Sequence, residues 1–126
     1  MNYTIKPHPD YPEQVCNRTF EGDIGLQEII DSWIDFSILL TRKPNVSGLI
    51  NDLTKSSFKL NINDIRHLIS FLNRQDYIRK LKIAVITNSP KTVTLPFMIM
   101  RKIKRIQIRV FESYSEAEKW VCEDLN

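Results

Sequence analysis

The sequence predicts an α/β fold: one mixed, mostly parallel five-stranded sheet with helices on both faces and elements in the order ββαβαβαβα. Three observations predict it. Leu81, Ile83, Ala84, Val85 and Ile86 form a near-continuous apolar run, the pattern of a central strand covered on both sides. Runs of this kind alternate with segments of helical period, beginning with Leu26, Ile29, Ile30, Trp33, Ser37 and Leu40. Strands separated by helices lie parallel and are joined by right-handed crossovers.

Tyr3 to Lys6 and Val15 to Glu21 have strand character and are separated by Pro7, Pro9 and Pro12, which cannot donate to a ladder; they are expected to form an antiparallel opening pair. The first helix starts after Gly22, capped by Gly25 or Asp23, and ends before Pro44. Val46 to Leu53 reads as a buried strand ending near Asp52, followed by a loop to Leu60. Asn61 with Asp64 resembles a capping box, and Ile62, Ile65, Ile69 and Leu72 mark one helical face behind it. A proline deep in a helix clashes with the carbonyl four residues earlier, so Thr94 is expected to cap the next helix with Pro96 in its first turn. That helix is expected to run through Phe97 to Arg105, before a last strand from Ile106 to Phe111. Ser113 with Glu116, or Ser115 with Glu118, caps a final helix whose Ala117, Trp120 and Val121 face inward.

At 126 residues the chain is expected to form a single domain, 1–126, with a core that needs neither disulfides nor metals. Its 42% hydrophobic and 26% charged content is that of a globular protein. Cys16 and Cys122, the two cysteines, form no Cys-x-x-Cys pair and are expected to be reduced packing residues in a cytoplasmic protein. The opening Met1 to Pro7 segment lacks a basic stretch followed by an apolar run, so no secretory leader is expected there, and no window is long and apolar enough to span a bilayer. A net charge of +3 does not by itself call for nucleic acid.

Four segments then align with a known pattern: Thr19-Phe20-Glu21-Gly22-Asp23-Ile24, Gly48-Leu49-Ile50-Asn51-Asp52-Leu53, Leu81-Lys82-Ile83-Ala84-Val85-Ile86, and the ending Val110-Phe111-x-Ser113-x-x-Glu116-Ala117-x-x-Trp120-Val121. With these, nearly the whole chain resembles the SpoIIAA-like or STAS group of small α/β proteins, which is related in fold to CRAL-TRIO lipid-transfer domains. The resemblance implies a non-enzymatic regulatory or protein-interaction domain, without a cofactor. In the anti-sigma-antagonist type, a Ser within Asp-Ser-Ser-Gly, at the start of the helix after the third strand, is phosphorylated. That motif is absent here: Thr54-Lys55-Ser56-Ser57-Phe58-Lys59-Leu60 follows Asp52 and Leu53, and Asn61 stands roughly where the phospho-acceptor would.

The three glycines, Gly22, Gly25 and Gly48, cannot build a phosphate-cradling loop or a dinucleotide fingerprint. His8 and His67 have no flanking nucleophile motif, so no catalytic residue is named. Glu28, Asp31 and Asp35 share one helical side and read as a solvated face rather than a cation site. Three candidate surfaces remain. The first is a partner or ligand loop of Asp52, Thr54, Ser56 and Ser57, placed where open α/β sheets bind ligands, at the carboxyl ends of strands. The second is an apolar contact of Leu95, Phe97, Met98 and Met100, suited to a protein partner, to a homodimer, or to the lip of a lipophilic-ligand pocket. The third is an anion patch of Arg101, Lys102, Lys104 and Arg105, with Arg79, Lys80, Lys82 and Arg109 nearby in sequence. No aromatic residues are interleaved with those charges, so nucleic acid is not an expected partner.

Overall fold

The computed structural model describes residues 2–125, so Met1, at the head of the segment read for a leader, and Asn126 lie outside the described residues. Its five strands are β1 (Tyr3–Pro7), β2 (Val15–Ile24), β3 (Gly48–Phe58), β4 (Lys82–Ile86) and β5 (Gln107–Phe111). The helices are α1 (Leu26–Arg42), α2 (Ile62–Asn73), α3 (Pro90–Lys102) and α4 (Tyr114–Cys122), with a 3₁₀ turn at Asp76–Lys80 before β4. Strands lie side by side in chain order, β1-β2-β3-β4-β5. β1 is antiparallel to β2, from Tyr3↔Phe20 to Pro7↔Cys16, and the other pairs are parallel.

Sequential parallel strands with crossovers of one hand carry their connecting helices to one face. Accordingly Ile29, Trp33 and Phe36 of α1, Leu68 and Leu72 of α2, and Leu95 and Ile99 of α3 share one core with Cys16, Phe20, Leu49, Leu53, Ile83, Val85 and Ile108. The alternate strand residues Val15, Ile50, Ala84 and Ile86 point to the other face, where Ala117 and Val121 of α4 cover them. β4 and the first part of β3 are buried on both sides for this reason, which explains the apolar run of β4.

Local chemistry sets most boundaries as expected. Gly25 is the N-cap of α1 and its N–H donates to Glu28 Oε1 at 3.1 Å. Asn61 and Asp64 exchange two hydrogen bonds at the start of α2, 2.8 Å and 3.1 Å. Ser113, rather than Ser115, caps α4 by accepting from Glu116 N. The buried face of α2 is rotated from the expected one: Leu68 and Leu72 are buried, Ile65 and Ile69 are half-buried, and Ile62 is exposed. On α4, Ala117 and Val121 are buried and Trp120 is half-buried.

Two expectations are corrected. α3 starts five residues before Thr94, at the Ser89 cap, with Pro90 at the first helical position and Pro96 inside the helix. Pro90 brings a preset φ and no N–H where none is needed, so Ser89-Pro90 is the stronger start signal. An interior proline costs about 3 kcal/mol in an isolated helix; here Leu95, Pro96 and Ile99 are buried against the sheet, and this burial opposes that cost. The same helix ends at Lys102, not Arg105, and Arg105 turns the chain with φ of 64°.

The second correction concerns the segment after Asp52, which is strand as far as Phe58 rather than loop. β4 stops accompanying β3 at Asp52↔Ile86, but β2 continues beside it to Ile24↔Phe58. Between Thr19↔Asp52 and Glu21↔Lys55 β3 holds one extra residue, a bulge that lets the ladder run on.

Candidate functional site

The predicted loop residues make bonds within their own strand. Asp52 Oδ1 accepts from Thr54 N at 2.9 Å and from Thr54 Oγ1 at 2.6 Å, and Ser56 Oγ donates to Leu53 O at 2.9 Å. These bonds satisfy the bulge, and Ser56 and Ser57 are half-buried.

The predicted apolar contact splits. Leu95 is buried in the core and Met98 is half-buried, whereas Phe97 is 49% and Met100 39% exposed. Phe97, Met100 and Arg101 recur at helical spacing and form one outward ridge of α3, with Lys102, Lys104 and Arg105 exposed nearby in the chain. Among the described residues none of these four cations forms an ion pair. Arg79 joins this end of the molecule by donating to Lys104 O at 3.1 Å. Lys82 and Arg109 lie on the other face, beside Trp120 of α4. Partial burial works against the Lys82 charge, but the carboxylates of Glu123 at 3.0 Å and Asp124 at 3.1 Å outweigh it and hold its pKa above the ordinary lysine value.

The other titratable groups are held by local partners. His8 is buried; its Nδ1 accepts from Asp10 N and Tyr11 N, which places the proton on Nε2, 2.6 Å from Glu118 Oε2. Cys122 lines a groove with these residues, but burial, then Glu118 and Asp10, push its thiol pKa up, away from thiolate chemistry. Burial also raises the Cys16 thiol. His67 is exposed on α2. Glu28 accepts from Asn2 as well as Gly25, Asp31 accepts from Gln27, and Asp35 accepts from the Tyr3 hydroxyl.

Arg18, which was not singled out in the sequence, is the most unusual side chain of the fold. It lies on β2 between the inward-facing Cys16 and Phe20 and is only 4% exposed. Its Nε donates to Asn51 Oδ1 at 2.6 Å and its Nη1 to Ser32 Oγ at 3.1 Å. Behind these partners, Asn51 Nδ2 donates to Ala84 O at 3.0 Å and Ser32 Oγ to Ile29 O at 2.7 Å, tying β2, β3, β4 and α1 together. The guanidinium carbon sits 4.1 Å from the Trp33 ring centre and 5.1 Å from that of Phe20, within cation–π range of both. Among the described residues no carboxylate pairs with it. Burial therefore pushes its pKa down to about 9, which leaves it cationic at neutral pH. It faces a cavity of about 60 Å³ beneath the three helices, lined mainly by apolar residues such as Leu53, Phe58, Leu72 and Leu95.

Tyr77 lies close enough to feel this charge, yet burial dominates and raises its phenol to about 12. Between pH 10 and 12 an unfolded chain loses tyrosine protons that the folded chain keeps, so this residue makes stability fall as pH rises through that window. Tyr77→Phe is expected to lessen the fall and to remove one late step from the 295 nm absorbance titration of the folded protein.

No family model matches the chain, and no curated protein matches its sequence. Solved structures do match. A protein of the DUF3478 family with a SpoIIAA-like fold, from Shewanella loihica PV-4 and itself uncharacterised, superposes with a TM-score of 0.65 at 13% identity, over 95% of this chain and 92% of that one. The fold is SpoIIAA-like. SpoIIAA itself, an anti-sigma factor antagonist in its unphosphorylated form, superposes with a TM-score of 0.59 at 11% identity, over 98% of this chain and 99% of that one. The element order and the mixed five-stranded sheet are those the sequence pattern predicts. No helix among the described residues is long and apolar enough to cross a membrane.

Proposed function

We propose that the chain is a non-enzymatic regulatory domain of the cytoplasm that acts by binding a protein partner through the outer ridge of α3. The observation that carries this reading is the exposure of Phe97 and Met100 beside Arg101 and Lys102. Large apolar side chains rimmed by charge are what an interaction surface presents, and the basic rim selects a partner with acidic residues around an apolar socket. The SpoIIAA-like fold, one of whose solved members is an anti-sigma factor antagonist, supports a regulatory role. Asp52, Thr54 and Ser56 are already engaged in local hydrogen bonds at the bulge, so the reading is placed on α3 rather than on the Asp52, Thr54, Ser56 and Ser57 segment.

Affinity capture from cell extract, with Phe97→Asp and Arg101→Glu as controls, tests the proposal. Each substitution is expected to weaken partner capture at least tenfold and to move the melting temperature little, since both side chains are exposed. Light scattering shows whether the partner is a second copy of the chain. A strictly monomeric protein that captures nothing, or captures as well with Phe97→Asp, overturns the reading.

A second reading, a carrier for a lipophilic ligand, is favoured by the apolar cavity beneath α1, α2 and α3.

A further inference from the structure

Arg18 sits in the wall of that cavity as a charge without a counter-charge. Its fork is held by Asn51 through Nε and by Ser32 through Nη1, while Nη2 makes no hydrogen bond among the described residues. The other titratable groups that act on it, Tyr77 and Tyr3, are neutral phenols at neutral pH, so the protein supplies no anion there. A buried cation with an unpartnered Nη2, two aromatic rings close by and aliphatic walls around it is complementary to an amphiphile with a small, single-charged head.

We propose that the cavity is a ligand site for an alkyl monocarboxylate, with the carboxylate on the unpartnered Nη2 of Arg18 and the chain among Leu53, Phe58, Leu72 and Leu95. The inference rests on the carrier reading and names its ligand class. A carboxylate fits better than a phosphate dianion, because a single guanidinium nitrogen, Nη2, is left unpartnered and no second cation lines the cavity. At about 60 Å³ the space holds roughly two waters at their liquid volume. It takes little more than the carboxylate head, so binding of the alkyl chain requires α3 to part from the sheet, where Leu95, Pro96 and Ile99 form the wall.

The test is a calorimetric and NMR titration of the intact protein with acetate, butyrate, hexanoate and octanoate, with 1-hexanol as the uncharged control. Hexanoate is expected to bind at least tenfold more tightly than hexanol and to shift the Arg18 Nε–H resonance. Arg18→Met is expected to abolish that preference; should it fail to fold, Arg18→Met with Asn51→Leu, which removes the orphaned acceptor too, takes its place. Equal binding of hexanoate and hexanol by the wild type overturns the role of Arg18 and leaves the carrier reading standing. Binding of neither overturns both.

Discussion

Asn51→Leu is expected to lower folding stability by about 3 kcal/mol, and Arg18→Met in the same chain to restore most of it. Asn51 accepts the shortest hydrogen bond of the buried guanidinium and returns its own N–H to Ala84 O. Leucine leaves a charge in the core with one fewer hydrogen-bond partner, and a hydrogen bond to a charged group is worth about 1.5–3 kcal/mol. Arg18→Met alone strands only a neutral acceptor, at about 1–3 kcal/mol. With both residues apolar no charge is stranded: Ser32 Oγ keeps its bond to Ile29 O, and Ala84 O loses only the Asn51 N–H. Urea denaturation of the four proteins forms a double-mutant cycle whose coupling term reads the Arg18–Asn51 interaction directly. Additive losses would show that the guanidinium finds other partners in the core.

Gly48→Val is expected to cost about 3 kcal/mol, at the upper end of what overpacking usually brings. Gly48 opens β3 where α4 crosses the sheet, and a β-carbon there would lie 2.4 Å from Val121 Cγ1 and 3.2 Å from Val15 Cγ2. Both neighbours are β-branched and stiff at χ1, so neither can swing away, and α4 has to lift. Gly48→Ala is expected to show a smaller loss of the same kind, and Val121→Ala to relieve it. The denaturation midpoint measures the loss, and the near-UV signal of Trp120 reports whether α4 has shifted. An unchanged midpoint in Gly48→Val would mean that α4 is loosely held.

The fold was legible because its signals are local. Asn61 with Asp64, Ser113 with Glu116, and the run Ile83 to Ile86 each announce an element through short-range chemistry that the tertiary structure keeps. Where local rules competed, the tertiary structure decided. Pro96 argued for a late start to α3, but the burial of Leu95 and Ile99 makes an interior proline tolerable, and Ser89-Pro90 takes the cap. β3 runs past Asp52 because β2 offers backbone partners that a reading of hydropathy alone does not see.

The candidate site was less legible. Leu95 and Phe97 stand two residues apart in one apolar stretch, and only the docking of α3 decides that one is core and the other surface. Arg18 escaped notice because an arginine in a strand is read as outward by default. Its signal was present all the same: Cys16, Arg18 and Phe20 share one side of a two-residue period. The phase of its neighbours places it inside.

Because spatial order equals chain order, no strand of this sheet waits for one that comes much later in the sequence. Each pairing closes over the element just completed, so the entropy of loop closure stays small at every step. Such a sheet can be assembled from its first strand onward as the chain is synthesised. The exception is the face of Ile50, Ala84 and Ile86, which stays bare until α4, the last helix of the chain, arrives. Removal of α4 is therefore expected to leave a sheet finished on one side and adhesive on the other, so the soundness of the fold turns on how α4 docks.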